Sequence, residues 1–171
     1  MTVVEVDGIE FRFEDGWHVA KYDDWSYYRN QFGRMRNGIR AIDLIAHSPD
    51  DDLWLIEVKD YRHGSAAVPL VAELAETVWK KVYDTLAALI PAAANANDPN
   101  EKSLADRFCR SRKLRVVLHV EQPTSPSRLY PGGAINLANM KMKLNELLRA
   151  IDSHPRVASS AKMNGLPWQV S

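Results

Sequence analysis

Asp43, Glu57 and Lys59 are the residues in this chain whose types and spacing could do chemistry. Both acids sit in runs that read as strands, Arg40 to His47 and Leu53 to Lys59. Between the runs, Ser48-Pro49-Asp50-Asp51-Asp52 collects turn formers that no strand interior would tolerate, so the two form the arms of a β-hairpin. With a symmetric loop Asp43 falls opposite Glu57, and opposed residues of an antiparallel pair lie roughly 4.5–5.5 Å apart at Cα. Lys59 projects from the same face, about 7 Å further along the strand. Carboxylates this close repel unless a proton or a cation lies between them. Mg²⁺, with Mn²⁺ as a substitute, suits such a pair, because it keeps several waters and takes only one or two protein carboxylates besides phosphate oxygens. A lysine beside it can orient or deprotonate water, or stabilise charge on a phosphoryl transition state. The chemistry implied is metal-assisted phosphodiester hydrolysis. The same charges also fit a cross-strand ion cluster at the rim of a sheet, and the pattern alone leaves both readings open.

The elements around the hairpin must position these groups. Alternation puts Ile42, Leu44, Ala46, Trp54, Ile56 and Val58 on one wholly apolar face. The other face carries Asp43, Glu57 and Lys59 at one end of an otherwise apolar surface that includes Ala41, Ile45, Leu53 and Leu55. A helix from Val71 to Ile90 follows, with Val71, Leu74, Val78, Val82, Leu86 and Leu89 as its buried stripe. Thr77, Lys81 and Asp84 share one flank of it, and Lys81 is a candidate contact to the site or to phosphate; a plain Lys81–Asp84 pair is the alternative. Pro91 is expected to end the helix, leaving Ala92 to Glu101 as a loop before a short helix from Ser103 to Ser111. Leu114 to Glu121 then returns as a strand parallel to the second hairpin arm. Gln122 to Ala138 reads as a long loop, and Leu137 to Ile151 as a second amphipathic helix. Ahead of the hairpin, Val3 to Val6, Ile9 to Phe13 and Trp17 to Tyr22 predict an antiparallel meander punctuated by Asp7-Gly8 and Asp15-Gly16. The tail, with a turn at Asn164-Gly165, could add edge strands or a dimer contact.

Ile42-Asp43 followed by Glu57-Val58-Lys59 at the end of a hydrophobic strand resembles the PD-(D/E)xK nuclease superfamily, with Ile42 in place of the leading proline. The resemblance covers the hairpin and the following helix and strand, about half the chain, and implies a restriction-endonuclease-like central mixed sheet flanked by helices, within one α/β domain over residues 1–171. It implies Asp43 and Glu57 as Mg²⁺ ligands with the Val58 carbonyl, Lys59 as the catalytic lysine, and a polar residue from the following helix, for which Lys81 is the candidate. The Gln-x-x-x-Tyr pattern of RecB-like members is absent. Many relatives contribute an acid from a helix that precedes the sheet; this chain opens with strands, so a third ligand is unassigned. Asp23 and Asp24, placed to cap a short helix, are further carboxylates for the site.

At 171 residues the chain has room for one domain with a real core. Its 22 Lys and Arg balance 22 Asp and Glu, which excludes a protein that coats nucleic acid indiscriminately. Phosphate affinity must then come from local clusters. Arg34 and Arg36 lie among Trp25, Tyr27, Tyr28 and Phe32; Arg62 and His63 follow the hairpin; Arg107, Arg110, Arg112 and Lys113 form a run with no acid after Asp106. Each cluster also reads as an ordinary solvated surface. The lone Cys109 cannot form an intrachain disulfide and reads as a buried or half-buried thiol. No signal pattern or membrane-length apolar run is present, which predicts a cytoplasmic protein. Together these features predict a Mg²⁺-dependent nuclease acting on DNA, with a homodimer as the means of cutting both strands. The alternatives are a non-catalytic nucleic-acid-binding or assembly subunit that keeps the fold, and a structural interaction protein.

Overall fold

The computed structural model describes residues 1–62, 68–123 and 134–171. His63 and most of the loop between Gln122 and Ala138 lie outside them. The chain opens with β1 (Thr2–Val6) and β2 (Ile9–Phe13), joined by Asp7 and Gly8 at φ 52 and 78, the left-handed pair a tight hairpin turn requires. A third meander strand does not follow. After Gly16, β3 (His18–Lys21) leaves the small sheet and pairs antiparallel with β4 (Leu44–His47), covering what would otherwise be an open edge. The place beside β2 is taken by β8 (Gln169–Val170) from the tail. The redirection carries Trp17 into an aromatic cluster with Phe13, Trp54 and Trp168 between the two sheets.

The main sheet has the order β3-β4-β5-β6-β7, with β5 (Asp52–Asp60), β6 (Lys113–Glu121) and β7 (Arg156–Ala158) completing it. β4 and β5 form the expected antiparallel hairpin, while β5–β6 and β6–β7 are parallel. The first parallel connection runs through α2 (Val71–Asn95) and α3 (Pro99–Cys109), the second through α4 (Leu137–Leu148); α1 is the short helix Ser26–Asn30. The fold is thus mixed α/β, a five-stranded mixed sheet flanked by helices with a separate three-stranded antiparallel sheet.

β5 is buried on both faces. Trp54, Ile56 and Val58 pack with Phe11, Phe13, Leu44 and Trp168 against the small sheet. Leu53 and Leu55 pack with Ile45, Leu74, Val78, Val82 and Phe108 against the helices. Ile42 departs from the alternation. The ladder begins only at Leu44, so Ile42 turns into the helix-side core and its N–H donates to Thr85 Oγ1 of α2 at 3.0 Å.

Pro91 does not end α2. It removes one N–H from the helix, but the alanines after it are strong helix formers, and Ala92 and Ala96 are buried in the helix-side core. Asp98 then caps α3, accepting from the N–H groups of Asn100 and Glu101, with Pro99 in the first turn. The segment read as a loop is therefore helix, tight cap and helix. Cys109, at the end of α3, is exposed rather than half-buried.

Phe11 is fully buried between the sheets. Replacing it with alanine is expected to cost about 3–5 kcal/mol, measured as a lower denaturant midpoint. A loss below about 1 kcal/mol would mean that the small sheet contributes little to the stability of the main one.

Candidate functional site

The hairpin register brings the acids together as their spacing requires. Leu44 pairs with Ile56, so Asp43, one residue before β4, faces Glu57. Beyond the end of β4 the backbone of Val58 has lost its neighbouring strand, and side chains complete it. Val58 N–H donates to Asp43 Oδ2 at 2.8 Å, and Lys59 Nζ donates to the Val58 carbonyl at 3.1 Å. Lys59 Nζ also lies 2.5 Å from Glu57 Oε1. From α2, Lys81 Nζ reaches Asp43 Oδ1 at 3.0 Å and Glu57 Oε1 at 2.6 Å.

Residues 40–43 are zipped to α2 one turn further on. Arg40 N–H donates to Asp84 Oδ2 at 2.8 Å, and Ile42 N–H donates to Thr85 Oγ1. Asp84 takes its ion pair from Lys80 at 2.9 Å. The Lys81–Asp84 alternative is not realised, and Lys81 is left to bridge the two acids.

Glu57 is fully buried. Its Oε1 touches both ammonium groups, yet neither carboxylate oxygen makes a well-directed hydrogen bond. Burial, and then the Asp43 charge, push its pKa up to about 7 against the opposing pull of Lys59 and Lys81. Burial works against the charge of Lys81, but Glu57 and Asp43 outweigh it and hold its pKa above the ordinary lysine value. With Glu57 ionised, two carboxylates balance two ammonium groups within the site; with Glu57 protonated, one positive charge is left over.

Asp23 joins this group from a 3-10 turn over Tyr22–Asp24. Tyr22 N–H donates to the Asp43 carbonyl at 3.1 Å, which ties that turn to the site. Burial raises the Asp23 pKa first, then the charges of Asp24 and Asp43, and its Oδ1 is buried without a hydrogen-bond partner. Asp24 instead meets Arg29 and Lys21 at the surface. Tyr61, just past β5, packs against the helix-side core, and burial and then the Glu57 charge push its pKa up. Nothing in the local pattern around Tyr61 signals this; it follows from its position after the Glu-x-Lys strand end.

Among the described residues no three His, Cys, Asp or Glu side chains converge closely enough to hold a metal ion. The donors that remain are Asp43, Glu57 and the Val58 carbonyl. Lys81 and the Val58 N–H already occupy Asp43, Lys59 occupies the Val58 carbonyl, and Glu57 Oε2 is a buried acceptor with no hydrogen bond of its own, so a cation would bind there in exchange for the ammonium groups. Lys81 lies between the two carboxylates and would have to swing aside.

The basic run is elsewhere. Arg112 N–H donates to the Asp51 carbonyl in the β4–β5 turn, and Asp52, at the start of β5, pairs with Lys113 at the start of β6. Glu57 lies five residues further along β5, roughly 17 Å away. Arg107, Arg110, Arg112 and Lys113 therefore serve the opposite end of the sheet. Asp51 and Asp106 line the same hollow as Arg107 and Arg110, so the run is not free of acids in space. Arg62 is at the site end but pairs with Asp60 at 2.7 Å. Arg34 and Arg36 are exposed, and Arg34 Nε donates to the Arg29 carbonyl.

No protein-family model matches the chain, and no solved structure matches it. It is 26% identical, over an alignment of 209 residues, to a cysteine–tRNA ligase of Neisseria meningitidis serogroup A / serotype 4A (strain DSM 15465 / Z2491). The alignment takes in 100% of this chain and 30% of the ligase, so the chain spans about 30% of the length of that relative. This similarity overturns the expectation of a Mg²⁺-dependent nuclease, because the similar protein is named as a ligase and not as a hydrolase. The endonuclease and hydrolase assignments fall with it.

The shift of Glu57 has a testable sign. A carboxyl whose native pKa is about 7 against an ordinary value of 4.5 favours folding when protonated. Its contribution is full below pH 4.5 and is lost as pH rises through about 7. Wild-type stability is expected to fall across that window by on the order of 3 kcal/mol from this group. Glu57→Gln should flatten the fall, and Lys81→Met should deepen it, in denaturant titrations repeated at several pH values. Equal pH dependence in all three proteins would contradict this account of the cluster.

Proposed function

We propose that residues 1–171 form an RNA-binding domain directed at tRNA, with the Asp43–Glu57–Lys59–Lys81 cluster as its chemical centre. The observation that carries this reading is the alignment of the whole chain with part of a tRNA ligase. Because the chain spans about 30% of that protein, it is assigned as a domain serving a tRNA-directed enzyme, not as a complete aminoacylating one. RNA replaces DNA as the proposed nucleic acid. The homodimer loses its motive once two strands need not be cut.

Glu57, titrating near neutral pH with ammonium neighbours, is suited to take up and release a proton. Lys59 and Lys81 hold its charge and that of Asp43. In this reading Mg²⁺ would be held by Asp43, Glu57 and the Val58 carbonyl, and would supply positive charge to an RNA phosphate. We also propose a restriction-endonuclease-like scaffold without that family's activity. Its support is the acid before β4, the Glu-x-Lys at the end of β5 and the lysine lent by α2. No helix among the described residues is long and apolar enough to cross a membrane.

Fluorescence anisotropy of the full chain with labelled tRNA, against a DNA duplex of similar length, tests the reading. tRNA is expected to bind more tightly, with affinity falling as salt rises. Equal or weaker binding of tRNA than of the duplex would refute it. Mg²⁺ is expected to raise the melting temperature of the wild type and not of Glu57→Ala.

A further inference from the structure

At the free edge of the main sheet, a cavity of about 450 Å³ is walled by Leu137, Ala138 and Lys141 of α4, by Arg156 and Val157 of β7, and by Lys162 and Asn164 from the turn beyond. It gathers three cations and no carboxylate. Residues 63–67 and 124–133 contain no Asp or Glu, so no acid can enter from them. This stands out in a chain with as many acids as bases. Around Glu57, and at Asp52, Asp60 and Asp106, cations sit against carboxylates. Among the described residues, Lys141, Arg156 and Lys162 form no ion pair; other cations, Arg112 and Lys113 among them, form none either, and what sets these three apart is that they line one cavity.

The cavity is built rather than incidental. The Arg156 guanidinium carbon lies 5.4 Å from the centroid of the Trp54 ring, and its Nη1 donates to the Gly165 carbonyl at 3.3 Å. The fork is thus held before any ligand arrives, so less side-chain freedom is lost on binding. Asn164, at φ 53, donates from Nδ2 to the Val157 carbonyl at 2.7 Å and so pins the turn that carries Lys162 to the strand edge. Lys162 is itself bridged through its backbone to Ser159. The start of α4 is already capped by Asn136, whose side chain accepts from Ala138 and Asn139. The attraction for an anion therefore comes from the side-chain charges. A guanidinium fork held in place and two ammonium groups lining the same cavity match the tetrahedral, multiply charged oxygens of a phosphate.

We propose that this cavity is a phosphate-binding site, and that its ligand is the backbone of the RNA. The RNA part rests on the tRNA reading above; the phosphate part does not. Arg156 pairs with Val117, which pairs with Ile56, so its backbone lies two strands, roughly 10 Å, from the middle of β5, and its side chain reaches over Trp54 on the face of the sheet opposite Glu57. Arg107–Lys113, at the far end of β5, is not so placed.

The test uses the full chain with Lys141→Ala/Lys162→Ala, with Arg156→Lys, and with Arg107→Ala/Arg112→Ala as the control. Circular dichroism verifies that each is folded. Affinity for tRNA is followed against salt, and inorganic pyrophosphate is titrated by calorimetry. The Lys141/Lys162 variant should bind tRNA about tenfold more weakly, with a salt slope shallower by ~1.4–1.8, and should lose pyrophosphate binding. Arg156→Lys should weaken both ligands to a smaller degree, and the control should match wild type. Wild-type affinity and slope in the Lys141/Lys162 variant would overturn the proposal and leave the tRNA reading standing. Pyrophosphate binding that depends on the cavity, without tRNA binding by the wild type, would uphold the phosphate site and end the tRNA reading. Binding of neither ligand by the wild type would overturn both.

Discussion

Burying Glu57 is the constraint on which the centre of this molecule depends. A carboxylate taken fully out of water costs several kcal/mol unless opposite charge comes with it. Here the compensation arrives from two elements, Lys59 on the same strand and Lys81 from α2. Lys81 can reach only because α2 is held along residues 40–43 by Asp84 and Thr85. The placement of the helix and the ionisation of the acid are therefore one problem, with the Asp43 carboxylate tied to both.

The rest of the fold makes that burial possible. β5 lies in the middle of the main sheet and is covered on one face by the small antiparallel sheet and on the other by the helices. A strand enclosed this way carries apolar side chains on both faces, as Leu53 to Ile56 do. Its charged end is where β4 stops and Val58 takes hydrogen bonds from side chains in place of a neighbouring strand. At this end of the ladder Asp43 and Lys59 satisfy the Val58 N–H and carbonyl, and the sheet below holds them in place.

Charge in this protein is arranged by pairing more than by excess. At the centre two carboxylates face two ammonium groups, and the Arg107–Lys113 run meets Asp51 and Asp106. Arg112 and Lys113 form no ion pair among the described residues, but the edge cavity gathers three such cations, Lys141, Arg156 and Lys162, in one hollow. It is assembled from a helix, a strand end and a tail turn far apart in sequence, where no run of basic residues would draw attention. The RNA partner proposed above would need a surface whose positive charge is not already spent on carboxylates.

Much of the central geometry was legible in the residues. The turn formers at 48–52 and strict alternation determined the hairpin register, hence the meeting of Asp43 with Glu57, because a one-residue slip would have turned every side chain to the wrong face. The flank of α2 that carries Lys81 followed from helical period in the same way. What lay beyond the sequence was what depends on distant partners. Asp15-Gly16 reads as a hairpin turn, yet β3 joins β4, since only the assembled sheet shows which edge needs covering. Pro91 reads as a stop, yet burial of Ala92 and Ala96 outweighs one lost hydrogen bond. Asp106 meets Arg110 locally at the end of α3, but Asp51 meets the basic run only across the β4–β5 turn. Local order is written in short-range periodicity, but which charges neutralise each other is decided when segments far apart in the chain pack, because Coulomb energy follows distance in space and not along the backbone.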